Sequence, residues 1–342
     1  MQDHLEASDR GLSLQDGRYR LAPFVACRQD SLEEFFGREP GVYVCNFPEP
    51  AWYQRFGLKR KRNLSVEKKR ETLRRMGTGS LLLSPTQDDA APGPTSDWQN
   101  GVVFHVGNGG LRGRAGQAVQ ALRMVEWLAK HRQDYAYCLV YNFSPTTYLG
   151  PLMAKALLGK PILVDYEDDY TLTRPSPWKN LIEATLRRTP DGVICINESM
   201  LPYFEGKRVI VSNCLSDLSY LSSADYGWRE GMTLLYSGLL DDIRGVDLVP
   251  SIVEALRARL KSFRVWVCGD GPLRPVVESW TLPEVEYLGF LDDNEYDERL
   301  QRADACLLLQ KPDHPFSRGS FPSKVDMYAR YRKPVYVVEL RR

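Results

Sequence analysis

At 342 residues the chain exceeds the roughly 250–300 at which a single core stops growing, so two domains are expected. Its apolar share of 43% and charged share of 26% are those of a soluble globular protein, and no apolar run reaches the ~18 residues of a membrane-spanning helix. Seven cysteines without a CxxC pair, and four histidines without metal-ligand spacing, argue against a disulfide framework or a structural metal.

The first seventeen residues are polar and acidic, without the basic-then-apolar pattern of a secretory signal, which makes the cytoplasm the expected location. A strand is expected over 41–47. Net charge is +1, but residues 55–75 hold ten basic residues against Glu67 and Glu71, a local +8 that leaves −7 elsewhere. An expected helix over 65–76 has only Val66, Leu73 and Met76 as apolar residues. It should therefore bury little and present its charge to an anionic membrane surface, at the inner face of a membrane, or to a partner protein. The stretch lacks the aromatic interleaving or module of a nucleic-acid binder, so nucleic acid is not an expected partner.

Strands at 80–84 and 101–106 flank a segment of loop composition, 88–100 (DDAAPGPTSDWQN). Residues 108–116 (NGGLRGRAG) then open a helix over 117–130, with Ala118, Leu122, Val125 and Leu128 along one face. Strand 137–142 and helix 147–158 lead to 160–170 (KPILVDYEDDY), where a strand delivers Asp165, Glu167, Asp168 and Asp169 at its carboxyl end. Four carboxylates there repel one another unless cations or hydrogen-bond donors meet them. Helix 178–188 and strands 192–197 and 208–212 complete the first unit, residues 1–214. The polar, Ser-rich 215–230 is the expected linker.

In the second unit, 231–342, strands at 233–237, 264–268, 285–288, 305–309 and 334–338 alternate with helices at 249–259, 273–279, 294–301 and 323–331. This alternation predicts a parallel sheet covered on both faces. Four segments carry chemistry. In 236–247 (YSGLLDDIRGVD) a strand ends at Gly238, and Arg244 offers a charged fork near backbone N–H groups, an arrangement suited to phosphate. In 265–274 (VWVCGDGPLR) a strand meets Gly269 and Gly271. Residues 285–291 (VEYLGFL) end a strand at Phe290. In 316–326 (FSRGSFPSKVD) a Gly/Ser loop opens a helix with Arg318 and Lys324. Cys45, Cys138, Cys195, Cys268 and Cys306 fall inside strand-like runs, where a free thiol acts as a small core residue; Cys27 and Cys214 follow no such pattern.

Together and in this order, these four segments resemble the donor domain of glycosyltransferase family 4 and its retaining GT-B relatives, over 233–338. The resemblance implies an α/β, GT-B type fold, two doubly wound Rossmann-like domains facing across a cleft, shortened at its C-terminal part. It implies donor contacts from Gly238, Arg244, Gly269, Gly271, Phe290, Arg318, Gly319, Ser320, Ser323 and Lys324. Leu239 stands where many members carry a second phosphate-binding Arg, and Met327 where many carry a ribose-clasping Glu. Glu167 takes the position of a residue near the transferred sugar, with Asp168 as support. Asn108, Gly109, Gly110 and Arg112 match a loop that closes over phosphates and acceptor. The implied activity is transfer of a hexosyl group from a nucleoside diphosphate sugar to a hydroxyl of a carbohydrate, lipid-linked or small-molecule acceptor, with retention. The donor is then a substrate, and no cofactor or metal is expected. The alternatives are a non-catalytic GT-B module binding a partner or sugar nucleotide, and a sugar-nucleotide epimerase of the same architecture.

Overall fold

The computed structural model describes residues 11–14, 18–24, 29–46, 64–85, 94–95, 103–107, 111, 113–167, 177–212 and 218–340. In chain order its strands are Leu12–Ser13 (β1), Tyr19–Pro23 (β2), Gly41–Val44 (β3), Leu81–Pro85 (β4), Pro94–Thr95 (β5), Val103–Val106 (β6), Tyr137–Tyr141 (β7), Ile162–Tyr166 (β8), Gly192–Cys195 (β9) and Arg208–Val211 (β10). Met232–Ser237 (β11), Phe263–Cys268 (β12), Val285–Gly289 (β13), Ala305–Leu308 (β14) and Val335–Leu340 (β15) follow. They form two sheets. The first has the order β10-β9-β8-β7-β3-β4-β6-β5 and is parallel except at β5. The second runs β1-β2-β15-β14-β11-β12-β13, with β15 through β13 parallel.

Parallel neighbours need helical crossovers, which bury both faces of the sheet. Alternate residues accordingly serve two cores. Val42 and Val44 enter one, and Tyr43 and Cys45 the other, all fully enclosed. In the second sheet Leu234 and Tyr236 meet Val249, Ile252, Val253 and Leu256, one apolar stripe of helix Val249–Arg257. Leu235 faces the opposite way, toward Val325 and Tyr328. Cys138, Cys195, Cys268 and Cys306 within strands, and Cys45 just after β3, are buried free thiols.

Four differences from the sequence reading have physical causes. Leu12–Ser13 and Tyr19–Pro23 belong to the second sheet: β2 pairs antiparallel with β15, Leu21 opposite Val338. The short alternation of Tyr19 and Leu21, buried around exposed Arg20, is too brief to assign from pattern. The expected linker is anchored, because Leu218, Tyr220, Leu221 and Tyr226 are buried against the second sheet. The long helix, Gly113–Lys130, buries Gly116, Gln120, Ala121, Met124 and Leu128, while Leu122 is 58% exposed. Its face is set by helix Pro145–Leu158, whose Gly150 lies so close that a Cβ there would stand 2.7 Å from Met124 Cβ. Within 88–100, Pro94–Thr95 pairs with β6. Asp30 brackets Val211 at the end of β10, its N–H donating to Val211 O at 2.8 Å and its carboxylate accepting from Val211 N–H at 2.9 Å. Among the described residues no helix is long and apolar enough to cross a membrane.

Candidate functional site

In each sheet the strand order reverses beside the first central strand, between β3 and β7 in one and between β11 and β14 in the other. Ligands of doubly wound sheets bind outside the strand carboxyl ends at such points. Here the two reversal points face one cavity of about 370 Å³. Tyr141 and Glu167 line it from the first unit, with Lys68 of helix Leu64–Arg75; Ser237, Gly238, Arg244, Gln310, Ser320, Ser323, Lys324 and Asp326 line it from the second.

The first-unit wall joins two sequence features that looked unrelated. Helix Leu64–Arg75 does not present a uniformly solvated basic face. Lys69 is 6% exposed, with Nζ donating to Asn46 O at 2.9 Å and lying 4.1 Å from the Tyr141 ring centroid. Thr72, Leu73 and Met76 are buried. Lys68 Nζ pairs with Glu167 Oε1 at 2.5 Å. The basic stretch thus supplies the cations that the acidic strand end requires. Residues 55 and 59–62, including Lys59, Arg60, Lys61 and Arg62, lie outside the described residues.

Glu167 is held on three sides. Its second carboxylate oxygen accepts from Tyr141 OH at 3.0 Å, and its N–H donates to Asn142 Oδ1 at 2.8 Å. Asn142 has φ 52°, a left-handed conformation that Asn tolerates better than most residues. Asp165, two residues earlier on the same face of the strand, is 3% exposed and accepts from Tyr43 OH at 2.6 Å. Burial works against the charge of Lys68, but Glu167 and Asp165 outweigh it and lift the Lys68 pKa above the ordinary lysine value.

Burial, together with the charge of Glu167, raises the Asp165 carboxyl to about 6, against the pull of Lys68. The native state then holds a proton that the unfolded chain releases near the ordinary value of about 3.9. This group's stabilisation is complete below that value and lost as pH rises through 6. Asp165→Asn removes the dependence. Between pH 4 and 7.5 its unfolding free energy in urea should gain on wild type by on the order of 2 kcal/mol; a constant difference across that range would refute the assignment.

In the second unit, Ser237 Oγ bonds Tyr296 OH at 2.8 Å and Tyr328 OH at 2.9 Å, fixing the end of β11 beneath Gly238. Arg244 is braced by Asp241, its N–H and Nη1 each 2.7 Å from a carboxylate oxygen, and its guanidinium carbon lies 5.0 Å from the Phe316 ring centroid. Lys324 Nζ lies 4.8 Å from the Tyr296 ring centroid, and burial, opposed by Cys268, holds its pKa below the ordinary lysine value. Ser320 joins the two units: its carbonyl accepts from Asn197 Nδ2 at 3.3 Å, and its Oγ accepts from Gln310 Nε2 at 3.2 Å.

Of the residues read from sequence, Glu167, Gly238, Arg244, Ser320, Ser323 and Lys324 meet at this cavity. Gly269, Gly271, Gly319 and Phe290 do not line it. The first two serve close packing: a Cβ on Gly269 would stand 1.8 Å from Gly238 O, and one on Gly271 2.6 Å from Leu240 O. Asp168, Asn108, Gly109, Gly110 and Arg112 lie outside the described residues, as does the Arg318 side chain. Met327 is buried in the core, while its neighbour Asp326 faces the cavity. Lys68, Tyr141, Gln310 and Asp326 were missed as site residues. The Lys68-Lys69 pair in a helix with few apolar residues was the one local signal.

No protein-family profile matches the chain, and no curated protein matches it. Solved structures do. HepE of Anabaena, in complex with UDP and glucose, is 15% identical with a TM-score of 0.51, over 87% of this chain and 80% of that one. The trehalose-6-phosphate protein of E. coli bound with UDP-2-fluoro glucose is 10% identical with a TM-score of 0.52, over 86% and 82%. The catalytic domain of starch synthase IV from Arabidopsis thaliana, bound to ADP and acarbose, is 10% identical with a TM-score of 0.54, over 87% and 82%. The fold is the GT-B fold, two Rossmann-like domains.

Proposed function

We propose that this protein is a glycosyltransferase that moves a hexosyl group from a nucleoside diphosphate sugar to an acceptor hydroxyl, with retention, as in glycosyltransferase family 4. The observation that carries this reading is the composition of the cavity at the two strand reversals: a glycine strand end with Arg244 and Lys324 on one side, and the oriented carboxylate of Glu167 on the other. Such transfer passes through an oxocarbenium-like sugar and a leaving diphosphate. Arg244 and Lys324 serve the departing negative charge, and Glu167 the sugar or the incoming hydroxyl. The solved structures of this fold that hold UDP or ADP support the same assignment.

A screen of UDP, ADP and GDP against the corresponding nucleosides tests it. A ligand at 100 times its Kd stabilises the native state by ~2.7 kcal/mol, so one diphosphate should raise the melting temperature while its nucleoside does little. The same diphosphate should then be released from its sugar conjugate in the presence of a sugar acceptor. Stabilisation without release would favour the second reading, a sugar-nucleotide binder without turnover, for which the neutralisation of Glu167 by Lys68 speaks. No stabilisation by any of the three diphosphates would refute both.

A further inference from the structure

Lys68, Arg244 and Lys324 are the cations lining the cavity among the described residues, and Lys68 alone comes from the first unit. Its backbone is fixed by helix packing, and its ammonium is held by the carboxylate of Glu167. Leu73 and Met76 seat its helix in the core, and neighbouring Lys69 is tied to Asn46 O. The Lys68 ammonium, at the end of a four-carbon stem, is drawn by Glu167 and Asp165 from one unit and more weakly by Asp326 from the other. Glu167, by contrast, is held independently of Lys68, through Tyr141 OH and the Asn142 side chain.

Breaking a buried ion pair is costly when one charge is left without a partner. A diphosphate in the same cavity supplies Lys68 with a replacement anion, and Glu167 keeps its Tyr141 hydrogen bond after the lysine departs. We infer that Lys68 is an exchangeable counter-ion, paired with Glu167 in the empty site and transferred to the donor diphosphate on binding, which unmasks Glu167 for the acceptor hydroxyl. This rests on the glycosyltransferase reading and adds an order to it: donor first, then acceptor. Because coupling between sites is reciprocal, acceptor binding in turn tightens donor binding.

The exchange predicts a sign that a purely structural ion pair would not give. Removing the charge of Glu167 releases Lys68 from the one carboxylate it pairs with directly, so Glu167→Gln should tighten the diphosphate. Calorimetric titration with whichever of UDP, ADP or GDP binds best, alongside its nucleoside, reads this directly. Expected are a threefold or greater gain in diphosphate affinity for Glu167→Gln and a loss of at least about tenfold for Lys68→Met, the size of a charged hydrogen bond. Nucleoside affinity should stay unchanged in both. In the Lys68→Met background the Glu167→Gln gain should vanish. Weaker or equal diphosphate binding by Glu167→Gln overturns the exchange, as does a gain that persists without Lys68. Should Lys68→Met fail to fold, the sign of the Glu167→Gln effect alone decides. A wild type that binds none of the three diphosphates overturns the glycosyltransferase reading along with the exchange, whereas binding without this coupling overturns the exchange alone.

Discussion

Gly269→Ala should cost about 3–5 kcal/mol of folding stability, combining backbone strain with overpacking. Gly269 has φ +140°, and its added Cβ would sit 1.8 Å from Gly238 O, with backbone and not a flexible side chain as the obstacle. The loops after β11 and β12 are laced together by Gly238 N to Cys268 O, Leu240 N to Asp270 O and Leu273 N to Leu240 O. Neither can yield without moving the other. Because Gly238 lines the cavity, the substitution should also weaken diphosphate binding in the fraction that folds. Gly159→Ala is the matched control: φ is +69° at a helix end, but nothing lies within 4 Å of its Cβ. It should cost only about 1 kcal/mol, from the left-handed backbone alone. Urea unfolding of both variants separates close packing from strain. Equal losses would show that the two loops can part, and that Gly269 acts through its dihedral only.

The parallel architecture was legible because buried parallel strands are short apolar runs between amphipathic stretches, a pattern that survives without knowing which strands pair. The N-terminal hairpin was not. Leu12, Tyr19 and Leu21 are buried only because β15, more than 300 residues later, offers an edge to β2, and no local pattern encodes that pairing. The face of helix Gly113–Lys130 was misread for a related reason. Leu122 is apolar but the closest approach of helix Pro145–Leu158 falls at Ala121 and Met124, where Gly150 admits it. At the site, residues whose chemistry is carried by backbone or fixed charge, Gly238, Arg244 and Lys324, stood out in their motifs. Gly269 and Gly271 were equally visible, yet sequence does not distinguish a glycine that admits a ligand from one that admits another loop. The acidic strand end and the basic helix each looked like a surface for something absent. Their meeting at Lys68 and Glu167, about a hundred residues apart in the chain, is a tertiary fact.

Arg244→Ala combined with Lys324→Ala should all but abolish diphosphate binding. Hydrogen bonds to charged groups contribute ~1.5–3 kcal/mol each, so the double variant should lose roughly 10²- to 10⁴-fold in affinity for a nucleoside diphosphate. The loss at Arg244 should exceed a simple deletion. Asp241, 8% exposed and braced against Arg244 Nη1 at 2.7 Å, would then lose its charged partner and keep only the residue 244 backbone N–H, leaving an uncompensated negative charge beside the site. Arg244→Lys keeps the charge but loses the planar fork that meets both Asp241 and the Phe316 face, and should fall between wild type and alanine. Lys324 adds a pH signature. Since burial holds its pKa below the ordinary lysine value, the ammonium is lost earlier as pH rises, and diphosphate affinity should decline with it. Lys324→Arg, which stays protonated, should flatten that decline while leaving affinity at neutral pH near wild type. Titrations across the alkaline range, with the nucleoside as the uncharged reference, measure each of these effects. Equal diphosphate affinity in wild type and the double variant would remove both residues from the donor site.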